Sequence, residues 1–296
     1  MGGRSNGLRI LPCLDSAELA EARRRELDIP HSLAVTMGAT AVEATRRGYY
    51  VTPAGIRVSW GDQVTAAREA TRSIRPQDPL PQPTNERKSE TRIQVTNETT
   101  LGVARQLTEA GLRLLALNFA NGIHPGGGFL DGALAQEETL CRSSALFATL
   151  EGDPMYDAHR LRELPDSSDW VILSPDVPVF RGADGRELDQ PWLLSIITCA
   201  APYAPAVGQP RAADLLQQRI HRVLAIARAY GFEALVLGAW GCGVFHNDPH
   251  RTARDFRSAL AGEFRGAFSE VVFAVTDWSP GRRFLGPFRD AFAPLP

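Results

Sequence analysis

Short apolar runs that alternate with helical stretches are the feature that most limits how this chain can fold. One run, Leu112–Phe119, reads LRLLALNF and has too few polar positions for a strand with a solvent-facing side. One helical pattern, Thr99–Ala110, precedes this run and ends at Gly111. Another, Ala213–Tyr230, lies later in the chain and ends at Gly231. Strands buried on both faces predict an α/β fold whose sheet is covered by helices on both sides. The runs comparable to the first are Trp170–Leu173, Leu193–Cys199, Ala234–Leu237 and Val271–Val275.

The residues before the first run have a different pattern. Glu18–Glu26 has the alternating charges of a solvated helix, and Tyr49–Thr52 and Gly55–Trp60 are extended pieces around a turn. Arg75–Ser89 contains four prolines among polar residues, which indicates a linker or an exposed loop. We therefore predict an N-terminal helical extension and linker over residues 1–90, packed on a core of residues 91–296 that forms one structural unit.

The overall charge limits the partners that the chain can attract. The formal net charge is -2, with 44% hydrophobic and 22% charged residues, as in an ordinary globular protein. Such a chain has no global positive field for an anionic polymer or a membrane surface. A polyanionic ligand would have to be recognised locally, by backbone dipoles and a few placed side chains. We expect no membrane association and no direct sequence-specific binding of nucleic acid.

The cysteines and the start of the chain indicate a reducing compartment. Cys13, Cys141, Cys199 and Cys242 are far apart and form no C-x-x-C pair, so we expect no metal site. The first residues lack an apolar core of signal-peptide length, and no stretch approaches the roughly 20 apolar residues of a membrane span. We therefore expect a cytoplasmic protein that needs neither a metal nor another cofactor.

Two glycine-rich loops follow two of the buried runs. Gly126-Gly127-Gly128 comes shortly after Leu112–Phe119, and Gly238–Phe245, with three glycines, comes directly after Ala234–Leu237. Glycine permits sharp bends and close backbone approach, and successive N–H groups in such turns can form a concave anion site. Because ligands bind outside the carboxyl ends of strands in α/β sheets, the two loops together could hold both sides of a diphosphate. For either loop alone, a plain flexible turn is the alternative.

A pair of carboxylates lies close behind the first loop. Seven residues separate Gly128 from Gln136-Glu137-Glu138, which begins a helix predicted to run to Leu150. Adjacent carboxylates on a helix point about 100° apart, so they cannot flank one bond as a retaining-glycosidase pair does. One could hold a substrate hydroxyl while the other protonates a leaving oxygen. The favourable field at a helix N-terminus is the alternative explanation, and because that field lowers a carboxylate pKa, a general acid here would need burial and its neighbour's charge to raise it.

These motifs and their spacing resemble the bacterial and fungal branch of the poly(ADP-ribose) glycohydrolases. Gly126-Gly127-Gly128, seven residues and then Gln136-Glu137-Glu138 match the GGG…QEE signature of that family. The resemblance covers most of the chain and implies a macrodomain-like fold, with a three-layer α/β/α core and a mixed sheet. Further similar stretches are VTNETT at 95–100, SPDVPVFR at 174–181, ITCAAP at 197–202 and GAWGCGVFHNDP at 238–249.

The resemblance also implies a reaction and roles for particular residues. The family cleaves the ribose–ribose bonds of the ADP-ribose polymer, from the free terminus in this branch, and releases ADP-ribose. By resemblance, Glu138 is the general acid that protonates the departing oxygen, and Glu137 positions ribose hydroxyls. The implied partners are poly(ADP-ribose), ADP-ribose and ADP-ribosylated proteins, and a role in recovery from DNA damage is implied as well. The implied substrate-binding residues are Asn121, Gly126, Gly127, Gly128 and Gln136 near the distal ribose, and Gly241, Cys242, Gly243, Val244 and Phe245 at the diphosphate and terminal unit.

Other functions could use the same pocket. They are a module that binds ADP-ribose without cutting it, a hydrolase of mono-ADP-ribosylated protein, and a macrodomain acting on other nucleotide-sugar metabolites. The intact Gln136-Glu137-Glu138 favours the glycohydrolase, because a pure binding module has no use for a buried acid.

Two histidines are considered separately. His124 stands where the microbial branch of the family usually has Asn, so it either contacts the ligand or faces solvent. His159, in a charged context, is predicted at the surface.

Overall fold

The secondary structure alternates between strands and helices, as the apolar runs predict. In a computed structural model of the protein, residues 4–5, 7–83 and 86–293 are described. The strands are β1 (Arg4–Ser5), β2 (Leu8–Ile10), β3 (Tyr49–Val51), β4 (Arg57–Ser59), β5 (Arg72–Ile74), β6 (Thr91–Thr96), β7 (Leu114–Ala120), β8 (Val171–Arg181), β9 (Glu187–Ala200), β10 (Ala234–Leu237) and β11 (Glu270–Ala274). The helices are α1 (Ala17–Leu27), α2 (His31–Arg47), α3 (Gly61–Ala70), α4 (Thr100–Glu109), α5 (Gln136–Ser143), α6 (Leu146–Leu150), α7 (Pro154–Arg160), α8 (Ala204–Val207), α9 (Arg211–Ala229), α10 (Pro249–Ala261) and α11 (Leu285–Ala291), with a 3-10 helix at Phe129–Asp131.

Nine of the described strands form one mixed sheet. Their order across the sheet is β1-β2-β6-β11-β10-β7-β9-β8-β5, and β3 and β4 form a separate antiparallel hairpin. The neighbours from β2 to β9 in this order are all parallel, whereas β1 and β8 run antiparallel to the strands beside them. The edge strand β5 pairs antiparallel with β8.

Helices cover both faces of the sheet, which confirms the predicted three-layer α/β/α core. Side chains of β7 alternate between the layers: Leu115 and Leu117 face a core that includes residues of α9, α10 and α11. Leu114 and Ala116 face the opposite core, which includes residues of α2, α4, α5 and α6. The apolar run of β7 is therefore buried on both faces, for the reason that its composition indicated.

Residues 1–90 contribute strands as well as helices. β2 continues the parallel sheet beside β6, with Ile10 opposite Ile93, and β5 forms the far edge beside β8. Strands of three residues are too short to show a period in the sequence, so their positions became visible only in the folded chain. The division of the chain at residue 90 stays a prediction.

The helix predicted from Gln136 to Leu150 is interrupted. Ser144 is extended, with φ −146° and ψ 178°, and it forms a β-bridge with Val179 of β8. Its hydroxyl donates to the carbonyl of Leu140 at 2.7 Å and accepts from the N–H of Leu146 at 3.2 Å. The serine thus ends α5 and starts α6, which is the competition between side-chain and helical hydrogen bonds that Ser often introduces.

The chain changes direction between β7 and β10. The connection after β7 leads to β8 and β9 on one side, whereas the connection after β10 leads to β11 on the other. Such a reversal opens a crevice at the carboxyl ends of the two strands, where α/β proteins bind ligands. Both glycine-rich loops begin at this point. Among the described helices, none is long and apolar enough to span a membrane.

Candidate active site

The two glycine-rich loops meet at the carboxyl ends of β7 and β10. We call residues 121–128 the first loop and residues 238–245 the second loop. Gly238 starts the second loop against β7: a Cβ there would lie 2.7 Å from Phe119 Cζ and 2.6 Å from the carbonyl of Ala274. Because any larger residue would push the strands apart, Gly238 lets the two loops start side by side.

The side chain of Gln136 fastens the start of α5 to β7. β7 pairs with β10 only as far as Ala116, so its next backbone groups on that side have lost their partner strand. The side-chain amide of Gln136 takes the place of the partner strand. Its Oε1 accepts from the N–H of Phe119 at 2.9 Å, and its Nε2 donates to the carbonyl of Leu117 at 2.8 Å. Nε2 also donates to Thr100 Oγ1 at 3.1 Å. This arrangement fixes the two carboxylates that follow in the chain directly above the end of β7.

Glu137 is buried and surrounded by N–H donors. Its side chain is 3% exposed. Oε2 accepts from the backbone N–H of Asn121 at 2.6 Å, and Oε1 accepts from Asn118 Nδ2 at 3.3 Å. Burial raises the pKa of Glu137 to about 8, and the charge of Glu138 adds to this, against the effect of the donors. The carboxylate pair therefore retains a proton near neutral pH.

One carboxylate oxygen of Glu138 accepts a hydrogen bond, and the other has no partner among the described residues. Oε1 accepts from the N–H of Gly128 at 3.0 Å. Oε2 is buried and has no hydrogen-bond partner among the described residues. A buried polar atom without a partner costs free energy, on the order of 1–3 kcal/mol. A catalytic role is one of the reasons for which a native protein leaves such an atom without a partner.

The triple glycine is explained by the contact between the first loop and these carboxylates. Gly127 has φ +58°, and a Cβ there would collide with Glu138 Oε1 and lie 3.0 Å from Glu137 Oε2. Gly126 has φ +72°, and its Cβ would lie 2.9 Å from the Phe129 ring. The N–H of Gly127 donates to the carbonyl of His124, and the N–H of Gly128 donates to Glu138 Oε1. These two N–H groups, which the sequence placed in an anion site, are thus bonded to groups of the protein itself.

Asn121 shapes the entrance of the first loop. Its Oδ1 accepts from the N–H groups of Ile123 at 2.9 Å and His124 at 3.0 Å, which forms a turn closed by the side chain. Its own N–H bonds Glu137. The residue thus connects the loop backbone with the buried carboxylate. The side chain of His124 is exposed.

The second loop has three successive backbone N–H groups without a partner among the described residues. Those of Gly243, Val244 and Phe245 have no hydrogen-bond partner in the described parts of the chain. A Cβ added to Gly243 would meet no atom within 4 Å, and Val244 is 72% exposed. The Phe245 ring packs edge-on against Tyr203, with 5.9 Å between centroids. Three successive unpaired donors in one turn can receive an anionic group.

Cys242 and Trp240 are the buried side chains of the second loop, and Cys242 is the one with a thiol. Its side chain is buried, its thiol donates to Thr252 Oγ1 at 3.6 Å, and its N–H bonds the carbonyl of Ala239. Burial raises the pKa of this thiol to about 12, so it stays protonated. Within the described ranges, no group of three or more His, Cys, Asp or Glu side chains could hold a metal ion.

His159 is not at the surface, so that prediction was wrong. The ring is buried, Nδ1 lies 3.0 Å from the carbonyl of Gly122, and Nε2 accepts from the N–H of Ser168 at 3.1 Å. Because Nε2 accepts, Nδ1 carries the proton and donates to Gly122 in the first loop. Burial lowers the pKa of His159 to about 4. The nearby Asp157 and Arg160 are exposed, so the charged context in the sequence gives no indication that the ring between them is buried.

Two buried asparagines support the site and were not singled out from the sequence. Asn118 lies inside the apolar run of β7, fully buried, and a polar residue within such a run was the signal. Asn247 follows the second loop and donates to the carbonyls of Pro202 at 2.9 Å and Gly241 at 3.1 Å. Its spacing from the glycines gives no indication of this role, because Pro202 is distant in the chain and meets Gly241 only in the folded structure.

A cavity of about 220 Å³ adjoins the site on the β11 side. Its wall includes Gln136 from α5 and Gly243 from the second loop, but neither Glu137 nor Glu138. The cavity therefore continues the crevice away from the carboxylates. Its apolar and aromatic lining includes Leu27, Phe119, Leu134, Trp278 and Phe284.

Comparison with known proteins agrees with this geometry. Residues 38–182 match the family model of the catalytic domain of microbial-type PARG, that is, poly(ADP-ribose) glycohydrolase. The crystal structure of PARG from Thermomonospora curvata is similar, with a TM-score of 0.83 and 43% identity, covering 88% of this chain and 100% of that one. The structure of the same enzyme bound to the inhibitor ADP-HPD has a TM-score of 0.80 and 43% identity, and the match covers 88% of this chain and 99% of that one. The structure of PARG from Deinococcus radiodurans in complex with ADP-ribose has a TM-score of 0.69 and 40% identity, and the match covers 77% of this chain and 96% of that one. No curated protein sequence is significantly similar to the chain.

Proposed function

The chain belongs to the family of microbial-type poly(ADP-ribose) glycohydrolases, and from this premise we propose that Glu138 is the general acid of its reaction. The fold is macrodomain-like, and the protein is an enzyme that hydrolyses poly(ADP-ribose). ADP-ribose and its polymer are its ligands, as they are for relatives that have 40–43% identity. What we add are the roles of individual residues.

One observation supports the role of Glu138 above all. Of the four oxygens of the carboxylate pair, three accept hydrogen bonds from the protein, and only Glu138 Oε2 has no partner among the described residues. A general acid must present one oxygen to the leaving group rather than to its own protein. Glu138 Oε2 meets that requirement, whereas both oxygens of Glu137 are already held.

The reaction follows from this assignment. The Glu138 carboxyl donates its proton to the departing ribose oxygen as the bond to the anomeric carbon breaks, and the remaining ribose becomes an oxocarbenium-like cation. A water molecule then attacks the anomeric carbon and returns a proton to the Glu138 carboxylate. One carboxylate serves as acid and then as base, which agrees with a pair whose adjacent members cannot face each other across a bond.

The second loop is proposed to hold the diphosphate. The free N–H groups of Gly243, Val244 and Phe245 form the local anion site that a chain of net charge -2 requires. The adjoining cavity, with its aromatic wall, is suited to the adenosine end, and Gln136 lies between it and the carboxylates. Asn121 is proposed to contact the distal ribose, and the half-buried Phe245 ring to cover the terminal unit. Cleavage from the free terminus and action on ADP-ribosylated proteins belong to the same proposal.

Replacing Glu138 by Gln tests the assignment. The amide has almost the same shape and can keep the bond from Gly128, but it cannot donate a proton as a carboxylic acid does. We expect ADP-ribose to bind with unchanged affinity by calorimetry, while release of ADP-ribose from polymer falls by at least about a hundredfold. Glu109→Gln, on the exposed surface of α4, is the matched control and should keep full activity. Near-normal turnover of polymer by Glu138→Gln would refute the role of Glu138.

A further inference from the structure

A second cavity lies at the opposite end of the strands from the carboxylate pair. Its volume is about 310 Å³, larger than the cavity of about 220 Å³ beside the active site. Its wall includes Leu114, the first residue of β7, whereas the active site lies beyond the last residue of that strand. Seven strand residues span about 20 Å, so the two places are separate. We call this cavity the rear pocket, and its lining includes Arg72, Arg113, Asp176, Ser195, Tyr230 and Phe232.

Two arginines on the wall of the rear pocket have no anionic partner. Arg72 begins β5, Arg113 directly precedes β7, and both are exposed. The guanidinium carbon of Arg113 lies 5.0 Å from the centroid of the Phe232 ring, and that of Arg72 lies 6.0 Å from the centroid of the Tyr230 ring. Neither arginine forms an ion pair or a side-chain hydrogen bond with the described residues. Guanidinium groups match the geometry of phosphate, so two without partners at one pocket indicate a phosphate-bearing ligand.

Asp176 adds a carboxylate to the rear pocket. The register between β8 and β9 shifts between Ser174 and Val177, and Asp176 within this shift has φ +50°. The hydroxyl of Ser195 donates to Asp176 Oδ1 at 3.3 Å and accepts from the N–H of Asp176 at 3.2 Å. Asp176 Oδ2 accepts no hydrogen bond from the described residues. Irregular strand positions and left-handed residues are often found where a side chain is aimed at a ligand.

The combination of these groups limits the chemistry of the ligand. A carboxylate repels phosphate but accepts hydrogen bonds from hydroxyl groups, such as those of a ribose. The Tyr230 ring is half-buried, and together with the nearby guanidinium of Arg72 it offers a flat surface to a base. A phosphate, a ribose and a base are the three parts of a ribonucleotide.

We propose that the rear pocket is a second binding site of the enzyme, for a ribonucleotide. Arg72 and Arg113 bind its phosphate, Asp176 accepts from its ribose hydroxyls, and Tyr230 stacks on its base. Such a ligand has two sources: a unit of the ADP-ribose polymer remote from the bond being cleaved, or a free nucleotide. A polymer held at two places dissociates less readily, because each contact raises the effective concentration for the other.

Calorimetric titration with ADP-ribose counts the sites. We expect each wild-type chain to bind two molecules, one in the active site and one more weakly in the rear pocket. The double variant Arg72→Ala/Arg113→Ala should bind one, because the loss of charged hydrogen bonds from two guanidinium groups weakens the second site at least about a hundredfold. Both residues are exposed, so the variant should fold as the wild type does.

A second double variant is the matched control. Arg57→Ala/Arg68→Ala removes the same two charges from exposed positions outside the rear pocket. Arg57 also lies over an aromatic ring, that of Tyr49 at 3.7 Å, so a cation–π contact is lost as well. This control should still bind two molecules of ADP-ribose. One molecule per wild-type chain, two in Arg72→Ala/Arg113→Ala, or loss of the second in the control would overturn the proposal.

Kinetics with two substrates distinguish the sources of the ligand. If the rear pocket holds the polymer, Arg72→Ala/Arg113→Ala should raise KM for long polymer about tenfold, with kcat and KM unchanged for a substrate of two ADP-ribose units. If it holds a free nucleotide, both substrates should be cleaved as by the wild type while the titration still lacks the second site. The titration requires no turnover, so its result is independent of whether Glu138→Gln remains active.

Discussion

Replacing Glu137 by Gln should change how the stability of the protein depends on pH. In the folded protein, burial raises the pKa of Glu137 from 4.5 to about 8, so the folded state holds a proton that the unfolded chain releases. The stability that this proton confers is complete below about pH 4.5 and is lost as pH rises towards 8. Glutamine carries no such proton, so the variant should lack this loss.

The magnitude follows from the size of the pKa shift. Each unit corresponds to about 1.4 kcal/mol, so the free energy of unfolding of the wild type should fall, relative to the variant, by roughly 3–4 kcal/mol between about pH 5 and pH 8. The Glu137 side chain is 3% exposed, so solvent does little to screen this effect. The variant can be accommodated, because the oxygen of the introduced glutamine amide can accept from Asn121 while its nitrogen donates to Asn118 Oδ1 after the Asn118 amide reverses.

Urea unfolding at several pH values measures the effect. The quantity of interest is the difference between variant and wild type in the free energy of unfolding, plotted against pH. Glu109→Gln, the same change at an exposed position of α4, serves as the control and should give a flat line. A difference for Glu137→Gln that varies by less than about 1 kcal/mol over this range would show that the pair holds no extra proton, and the argument from burial would fail.

Two other predictions concern the loop around the pair. Gly127→Ala places a methyl against both carboxylates at φ +58°, so we expect a loss of about 1–3 kcal/mol in stability and a large loss of turnover in an activity assay. Gly243→Ala, where a methyl meets nothing within 4 Å, should lower the stability by less than about 0.5 kcal/mol, and equal losses for the two variants in urea unfolding would contradict the reasoning. Because burial lowers the pKa of His159 from 6.5 to about 4, the stability due to its neutral ring is complete above about pH 6.5 and is lost as pH falls towards 4, by roughly 3 kcal/mol. His159→Leu should remove this acid-side dependence in unfolding experiments at matched pH values, and an unchanged slope would argue against a buried neutral ring.

Local patterns in the sequence predicted the layers and the position of the site. The run of β7 had to be buried on both faces because it offers no polar face, and the positions of Gly126–Gly128 and Gly238–Phe245 after strands indicated the ligand edge of the sheet. Period and turn chemistry are properties of neighbouring residues, so they survive in a single sequence. The order of the strands is not such a property, and β2 and β5 joined the sheet without any local signal.

The chemistry of the site was decided by contacts between distant residues. The sequence placed Glu137 and Glu138 side by side, but it could not assign different environments to them. Those environments arise because Asn118 of β7, which also bonds Thr198 of β9, and Asn121 of the first loop donate to Glu137, while one oxygen of Glu138 has no partner among the described residues. Burial and hydrogen bonding depend on what surrounds a group in space, so only the tertiary structure distinguishes the two carboxyls.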